Sequence, residues 1–260
     1  MNRKKWVLIT GASSGIGMAL ALRFAKEGWH LVLVARDAAR LSALSEIIED
    51  DFKVRTLVIA KDLTSQNATA EIFEQLSGSG IRIEALINNA GAGACGLFHD
   101  IPDVKDMQMI DLNIRAVTSL SKLAIAHMRQ TGGGRILNVA STGSYQPGPY
   151  IAVYYASKAY VLSFSQALRK ELKKTGIIVS TLCPGSTATE FSQRAGKAEI
   201  SGAMTPEKVA DCAYKGLIKG KAIIIPGFLN KVFIAASKLL PGSLSAAIVE
   251  RIQKKLTETF

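Results

Sequence analysis

Short apolar runs alternate with longer amphipathic segments along most of the chain. The runs are rich in Val, Ile and Leu and have no polar face, as expected of parallel strands that helices cover on both sides. We predict seven strands from these runs, at residues 6–10, 30–35, 54–60, 85–88, 135–140, 177–183 and 222–226. Helical spacing between the runs predicts helices at residues 15–27, 38–50, 66–77, 103–130, 153–174 and 205–219.

This alternation predicts a single doubly wound α/β domain of the Rossmann-like type over residues 1–260, with a parallel seven-stranded sheet and helices on both faces. Residues 227–260 follow the last predicted strand as a helical C-terminal extension. Its pattern indicates two amphipathic helices separated at Pro241 and Gly242. We expect the extension to pack on the domain as a cap. The alternative is a basic, apolar surface that contacts a membrane or covers a lipophilic substrate.

Composition limits the class of protein further. Apolar residues make up 48% of the 260 residues, which is enough for a large core. The cysteines, Cys95, Cys183 and Cys212, have no paired spacing, so neither a disulfide framework nor a zinc site is expected. The apolar run before Gly11 is too short for a signal-peptide core, and no uncharged apolar run approaches the roughly 18 residues that span a bilayer. We therefore expect a cytoplasmic location.

The chain is basic, with a formal net charge of +11. From Lys215 to the end it carries eight lysines and arginines but only two glutamates. A solvated basic face is the interpretation we prefer. No nucleic-acid partner is expected, because no recognised motif and no aromatic-rich basic stretch accompanies the charge. Peripheral membrane contact through the C-terminal segment stays open.

The sequence TGASSGIG, residues 10–17, follows the first predicted strand and opens the first helix. Its three glycines allow a tight turn and a close approach to a pyrophosphate, and the helix N-terminus supplies free N–H groups. The spacing Gly-x-x-x-Gly-x-Gly is a variant of the dinucleotide fingerprint in its usual strand–turn–helix context. We predict a dinucleotide site here; the alternative is an ordinary strand-to-helix turn.

The end of the second predicted strand indicates which dinucleotide. An acid about 20 residues after the glycine loop usually holds the ribose hydroxyls of NAD. Ala35 stands at this place and Arg36 follows it, while Asp37 is expected to begin the next helix. An arginine here suits a 2′-phosphate through a charge-assisted contact. We predict NADPH or NADP+, with NADH less favoured; the alternative is that Arg36 is a plain surface residue.

A lysine among tyrosines, in VYYASKAY at residues 153–160, suggests proton chemistry. A tyrosine can give a proton to a developing alkoxide if a nearby ammonium stabilises the phenolate. Residues four apart share a helix face, which favours Tyr154 with Lys158. Tyr155 lies three residues before the lysine, so spacing leaves both tyrosines as candidates.

Several short motifs occur in order along the chain: TGASSGIG, NNAG at 88–91, Asn113 in DLNIRA, Ser141 in VAST, YYASK at 154–158 and PGSTATEF at 184–191. Together they resemble the short-chain dehydrogenase/reductase family along nearly the whole chain. The motif of that family is Tyr-x-x-x-Lys, with a serine thirteen residues before the tyrosine. Ser141 and Tyr154 keep this interval, so the resemblance identifies Tyr154 as the proton donor.

The resemblance implies a role for each catalytic position. Tyr154 gives or takes the proton, and Lys158 lowers the tyrosine pKa and binds the nicotinamide ribose. Ser141 hydrogen-bonds the substrate oxygen and steadies its charge. Asn113 is similar to the family asparagine that holds a water in the proton relay to Lys158. The histidines show no ligand spacing, and no metal site is predicted.

The resemblance also implies a set of cofactor contacts. Asp62 matches the acid near the adenine, and Thr187 stands where the family usually has an aliphatic residue that contacts the cofactor mostly through its backbone. The predicted cofactor-binding residues are Gly11, Ser13, Ser14, Gly15, Ile16, Gly17, Arg36, Asp62, Leu63, Asn89, Ala90, Gly91, Tyr154, Lys158, Pro184, Gly185, Thr187 and Thr189.

We therefore predict an NADP(H)-dependent oxidoreductase that transfers a hydride between nicotinamide and a small-molecule carbonyl or alcohol. The alternative is an NADP-sensing regulator without turnover, for which a missing tyrosine or lysine would be the sign. Loops at 92–101, 142–153 and 186–204 are the expected substrate walls, and Arg194 and Lys197 in the last loop either attract an anionic substrate or are solvated. A homodimer or homotetramer, formed through helices 103–130 and 153–174, is what the family commonly shows.

Overall fold

The computed structural model describes residues 5–198 and 201–258. Its strands form one parallel sheet in the order β3-β2-β1-β4-β5-β6-β7. The sheet confirms the predicted doubly wound topology. The strands are β1 (Trp6–Thr10), β2 (His30–Ala35), β3 (Thr56–Ala60), β4 (Ile83–Asn88), β5 (Gly134–Val139), β6 (Ile177–Leu182) and β7 (Ile223–Ile224).

Helices connect the strands and follow the last one. They are α1 (Gly15–Lys26), α2 (Ala38–Phe52), α3 (Ala68–Gly78), α4 (Asp103–Ile110), α5 (Val117–Gln130), α6 (Ala152–Glu171), α7 (Phe191–Arg194), α8 (Pro206–Ile218), α9 (Phe228–Leu239) and α10 (Gly242–Glu258). Short 3-10 turns cover Phe98–Asp100 and Thr142–Tyr145. No helix of the described chain is both long and apolar enough to cross a membrane.

Alternate residues of each strand point to opposite faces of the sheet, which explains why the strands have no polar side. On β1, Val7 and Ile9 enter the core on one face, and Leu8 enters the core on the other. The first core packs against α1, α2 and α8, and the second packs against α3 and α5. Both faces of the sheet are therefore dry.

The predicted helix over 103–130 is wrong as one continuous α-helix. One turn of π-helix, Asp111–Ala116, separates α4 from α5. A π turn inserts an extra residue into the helix and changes the direction in which side chains point. In this turn Asn113 is fully buried and bonds the backbone of Ala92 in the loop after β4.

The seventh strand is shorter than the predicted 222–226, because it consists of Ile223 and Ile224 alone. It lies at the sheet edge and pairs only with β6. Pro226 has no N–H to donate to a ladder, which limits the strand on its C-terminal side.

The break predicted at Pro241 and Gly242 is confirmed, since α9 ends at Leu239 and α10 begins at Gly242. The extension does more than cover the domain. The backbone N–H of Ala198 donates to the carbonyl of Leu256 at 3.0 Å, so α10 is joined to the loop that follows α7. The last predicted residues of the extension, 259–260, and residues 199–200 of the predicted substrate loop lie outside the described residues.

Phe24 on α1 is the best single test of this packing. Its ring is fully buried and meets Trp29 and Tyr214 edge to face, with ring centroids 5.3 and 4.9 Å away. We expect Phe24→Ala to lower the free energy of unfolding by about 3 to 5 kcal/mol, because the cavity left behind cannot close fully. Urea unfolding followed by far-ultraviolet circular dichroism measures it. Ile47→Ala on the exposed side of α2 is the control, and equal midpoints for the two variants would contradict this packing.

Candidate active site

The site begins where β1 and β4 end side by side. The two strands are neighbours in the sheet, but the chain leaves them toward opposite edges, which opens a crevice at their carboxyl ends. The Thr10 hydroxyl accepts hydrogen bonds from the backbone N–H groups of Asn89 and Ala90, at 3.0 and 3.1 Å. The Asn89 amide donates in return to the carbonyls of Thr10 and Gly11. These bonds tie the glycine loop to the end of β4.

The glycine loop requires glycine for two physical reasons. Gly11 and Gly15 have φ angles of +65° and +55°, in the left-handed region. A side chain on Gly17 would place its Cβ 2.1 Å from the carbonyl oxygen of Gly11. Ser14 precedes α1 without a side-chain capping bond, so the first N–H groups of α1 remain available to an anion.

These features form one end of a cleft of about 1060 Å³. Most of the predicted site residues line it, and two do not. Gly17 faces the Gly11 carbonyl and the Asn89 amide, and Asn113 lies fully buried behind the loop after β4. The predicted residues that line the cleft are Gly11, Ser13, Ser14, Gly15, Ile16, Arg36, Asp62, Leu63, Asn89, Ala90, Gly91, Ser141, Tyr154, Lys158, Pro184, Gly185, Thr187 and Thr189.

At the far end of the glycine loop, the exposed Arg36 follows the buried Ala35 at the end of β2. Asp62 lies nearby and accepts two hydrogen bonds from Thr64, at 2.8 and 2.9 Å. Burial raises the pKa of Asp62, but the bonds from Thr64 and the charge of Arg36 outweigh burial and lower it. The end of the cleft thus combines an ionised carboxylate with an available guanidinium.

Thr187 and Thr189 close the opposite side of the cleft. The Thr187 hydroxyl donates to the carbonyl of Gly185 at 3.1 Å, so its side chain is used within the loop. Thr189 packs over the glycine loop so closely that a Cβ on Gly15 would lie 2.9 Å from its methyl group. The loop after β6 therefore faces the glycine loop directly.

The catalytic candidates meet at the ends of β5 and α6. Ser141 follows β5 and caps a short 3-10 turn, where its Oγ accepts from the N–H of Gly143 at 3.1 Å. The buried Lys158 donates from Nζ to the carbonyl of Val139 at 2.8 Å. The same ammonium lies 5.8 Å from the centre of the Tyr154 ring. Serine, tyrosine and lysine thus share one wall of the cleft.

Burial controls the ionisation of this group. Burial raises the pKa of Tyr154, while a hydrogen bond with the Ser141 hydroxyl acts in the opposite direction. Burial also lowers the pKa of Lys158 to about 8. At pH 7 the lysine therefore remains mostly protonated, and its charge is held close to the tyrosine at a cost in folding free energy.

Asn113 supports the wall from behind. Its side-chain oxygen accepts from the N–H of Ala92 at 3.0 Å, and its amide donates to the Ala92 carbonyl and to the Ser157 hydroxyl. A Cβ on Gly91 would lie 3.2 Å from the Lys158 ammonium and 3.3 Å from the Asn113 oxygen. Gly91 thus leaves space between these two groups. The predicted role of Asn113 in a proton relay stays a prediction.

Tyr155 has different surroundings from Tyr154. Its ring packs against Gly143 and Gly148, where an added Cβ would approach it to 2.9 and 2.3 Å. Its hydroxyl accepts from the Gln253 amide at 3.3 Å. The ammonium of Lys158 contacts the ring of Tyr154. This contact distinguishes the two tyrosines, which their spacing from the lysine in the sequence did not.

Several cleft residues escaped the sequence analysis. They lie on α9 and α10: Asn230, Phe233, Val249, Ile252 and Gln253. The amphipathic pattern indicates that the C-terminal helices pack on something, but it does not indicate which residues reach the cleft. Arg194, a candidate for attracting an anionic substrate, lines the cleft and pairs with Glu190, which also binds Arg40. Lys197 lines the cleft.

A metal-dependent reaction has no obvious ligands in this cleft. Within residues 5–198 and 201–258, no group of three or more His, Cys, Asp or Glu side chains is arranged to hold a metal ion. The three cysteines are free thiols.

Comparison with known families agrees with this geometry. The model of the short chain dehydrogenase family matches residues 5–200, which is most of the chain. The chain therefore belongs to the short-chain dehydrogenase family. A curated relative, very-long-chain 3-oxoacyl-CoA reductase-B of Danio rerio, is 36% identical over 193 residues. The matched region is 73% of this chain and 61% of that relative, so the chain spans about three fifths of its length.

Two solved structures share the fold over nearly the whole chain. A short-chain dehydrogenase from Sphingobium yanoikuyae in complex with NADPH is 36% identical with a TM-score of 0.82, covering 90% of this chain and 94% of that one. A bulky-bulky ketone specific alcohol dehydrogenase from Comamonas testosteroni is 34% identical with a TM-score of 0.78, covering 90% of this chain and 93% of that one.

The buried ammonium of Lys158 makes a prediction about stability. Its pKa falls from 10.5 in the unfolded chain to about 8, so the folded protein carries a penalty whenever the lysine is charged. We expect Lys158→Met to raise the free energy of unfolding at pH 7 by about 1 to 3 kcal/mol. Between pH 8 and pH 10.5 the unfolded chain holds a proton that the folded one has released, so the unmodified protein gains stability and the difference shrinks.

Urea unfolding at pH 7 and at pH 10.5 measures this difference. Lys170→Met is the matched control, because Lys170 is an exposed lysine on the same helix. A Lys158→Met variant that is less stable at both pH values would contradict the burial penalty.

Proposed function

We propose that this protein catalyses NADPH-dependent reduction of a carbonyl compound, or the reverse oxidation of the alcohol. The observation that carries the proposal is the shared wall of Ser141, Tyr154 and Lys158, opposite a glycine loop that leaves N–H groups free at the start of α1. Family membership and a solved neighbour in complex with NADPH support the same conclusion. A sensor without turnover is not favoured, because the tyrosine and the lysine are both in position.

In this proposal the cofactor supplies the hydride, and the chain binds the substrate and manages its proton. Ser141 Oγ accepts from Gly143, and its hydroxyl, which also bonds Tyr154, turns its hydrogen to the carbonyl oxygen of the substrate. Tyr154 donates a proton to that oxygen as its negative charge develops. The ammonium of Lys158, near the same ring, stabilises the phenolate left behind.

The preference for NADPH rests on the end of β2. Position 35 carries an alanine and no acidic side chain, and Arg36 is exposed at the rim of the cleft. A guanidinium at this point binds the 2′-phosphate of NADPH more strongly than the 2′-hydroxyl of NADH.

Two further expectations concern assembly and location. Exposed apolar side chains on α4, among them Val104 and Met107, support a homodimer or homotetramer through this face. Phe228 and Leu229 on α9 are also exposed, and Lys231 follows them, which supports peripheral contact with a membrane. These interactions and a cytoplasmic location stay predictions.

The decisive variant is Tyr154→Phe. We expect it to lower kcat at least about a hundredfold, because no general acid remains for the alkoxide. NADPH binding should stay within about twofold of the unmodified protein, since the change removes a single neutral hydroxyl. The assay is NADPH oxidation with a panel of aldehydes, diketones, and aryl, acyl and steroid ketones.

Tyr155→Phe is the matched control for this assay, because it removes the neighbouring hydroxyl. We expect it to keep most of kcat. A dead Tyr155→Phe with an active Tyr154→Phe would assign the proton to the other tyrosine. A panel without any turnover would count against the reduction itself.

Arg36→Ala tests the cofactor preference. We expect the Kd for NADPH to rise roughly tenfold or more, the effect of one charge-assisted contact, while the Kd for NADH stays nearly constant. Isothermal titration calorimetry measures both constants. Arg40→Ala is the control, because this arginine is already held by Asp37 and Glu190. Equal losses for the two cofactors would disprove the contact with the 2′-phosphate.

A further inference from the structure

A buried amide on α10 faces the cleft. Gln253 is only 4% exposed and lines the cleft together with Val249 and Ile252 of the same helix. Phe233 of α9 lines the cleft as well. Gln253 is therefore a polar group set among apolar side chains, in a part of the cleft that the glycine loop and the catalytic residues do not occupy.

Only one end of this amide is satisfied. Its nitrogen donates to the Tyr155 hydroxyl at 3.3 Å, while its oxygen Oε1 has no hydrogen-bond partner among the described residues. Buried polar atoms in folded proteins nearly always have a partner, because the loss of water is otherwise not compensated. An unpartnered buried acceptor on a side chain that lines the cleft thus points to a donor that a bound molecule brings.

The amide is held in place from two directions. Tyr155 cannot shift easily, since its ring is enclosed by Gly143 and Gly148. The helix that carries Gln253 is joined to the loop after α7 by the bond from Ala198 N–H to the Leu256 carbonyl. A preorganised acceptor of this kind binds a donor without paying for its own ordering.

We propose that Gln253 Oε1 accepts a hydrogen bond from the substrate. The substrate class is then a largely apolar ketone that carries a second polar group, a hydroxyl or an amide N–H, away from the reacting carbonyl. Tyr154 marks the reacting end, and the ring of Tyr155, with its centroid 6.1 Å from that of Tyr154, leads from there to Gln253. The inference rests on the proposed function only in taking the ligand to be a carbonyl compound.

The test uses pairs of 1-phenylalkan-1-ones that differ only at the end of the alkyl chain, which carries either a hydroxyl or a methyl group. A series of chain lengths covers the unknown distance between the two polar groups. Kd values are measured by calorimetry in the presence of NADP+, with which a ketone cannot be reduced, and the near-ultraviolet absorbance of NADPH checks that the terminal hydroxyl is not oxidised. At one chain length we expect the hydroxyl probe to bind about tenfold more tightly than the methyl probe, as one hydrogen bond to a buried acceptor allows.

Gln253→Leu should abolish this preference, because leucine keeps the size of the side chain and removes the acceptor. Lys254→Leu is the matched control, since Lys254 is exposed on the same helix, and it should leave the preference unchanged. No preference at any chain length, an unchanged preference in Gln253→Leu, or the same loss in Lys254→Leu would each overturn the proposal.

Tyr155→Phe separates recognition from support. It removes the hydroxyl that Gln253 contacts and leaves the amide in place, so we expect it to keep the preference for the hydroxyl probe. A loss equal to that of Gln253→Leu would overturn the proposal, because the amide would then serve only to position Tyr155.

The Kd values do not depend on turnover, so binding and reduction are tested separately. Hydroxyl-selective binding without NADPH oxidation would refute the proposed reduction alone, and turnover without selectivity would refute the Gln253 contact alone.

Discussion

The junction between β1 and β4 is the constraint on which the rest of the site depends. At this point the chain leaves neighbouring strands toward opposite edges, and their last backbone groups lose their partners in the ladder. The Thr10 hydroxyl and the Asn89 amide replace those partners with four hydrogen bonds between the two strand ends. The crevice stays open because its edges are satisfied, and every other part of the site is placed relative to it.

The chemistry adds a second constraint, which acts against stability. Lys158 is 5% exposed, and its Nζ donates to the carbonyl of Val139. A charged amine in such surroundings is unfavourable, as the lowered pKa shows. The surrounding structure compensates through dry packing on both faces of the sheet and through a buried network that joins Asn88 to Asn138, at 2.8 Å, and Asn138 to Ser165, at 2.9 Å. The closely packed scaffold thus keeps the Lys158 ammonium buried, although its charged form is more stable in water.

The sequence was sufficient for those parts of the fold that depend on local pattern. Strands buried on both faces have a distinct composition that the sequence shows directly. Glycines at positive φ, such as Gly11, can also be predicted, because other residues are strained there. The π turn at Asp111–Ala116 could not be predicted from local sequence. It accompanies a bond between Asn113 and Ala92, which lies more than 20 residues earlier in the chain. The short β7 depends in the same way on its position at the sheet edge.

The substrate side of the cleft was the least predictable part for the same physical reason. Its wall comes from residues far apart in sequence, and an amphipathic helix such as α10 shows that one face is buried without showing what that face meets. Gln253 looks like an ordinary polar residue until tertiary contacts bury it beside Tyr155, 98 positions earlier in the chain. Under the proposed function, specificity depends on the long-range packing of the C-terminal helices, whereas proton transfer depends on a local spacing within α6. In that proposal the crevice keeps its chemistry while the extension sets which molecule reaches it.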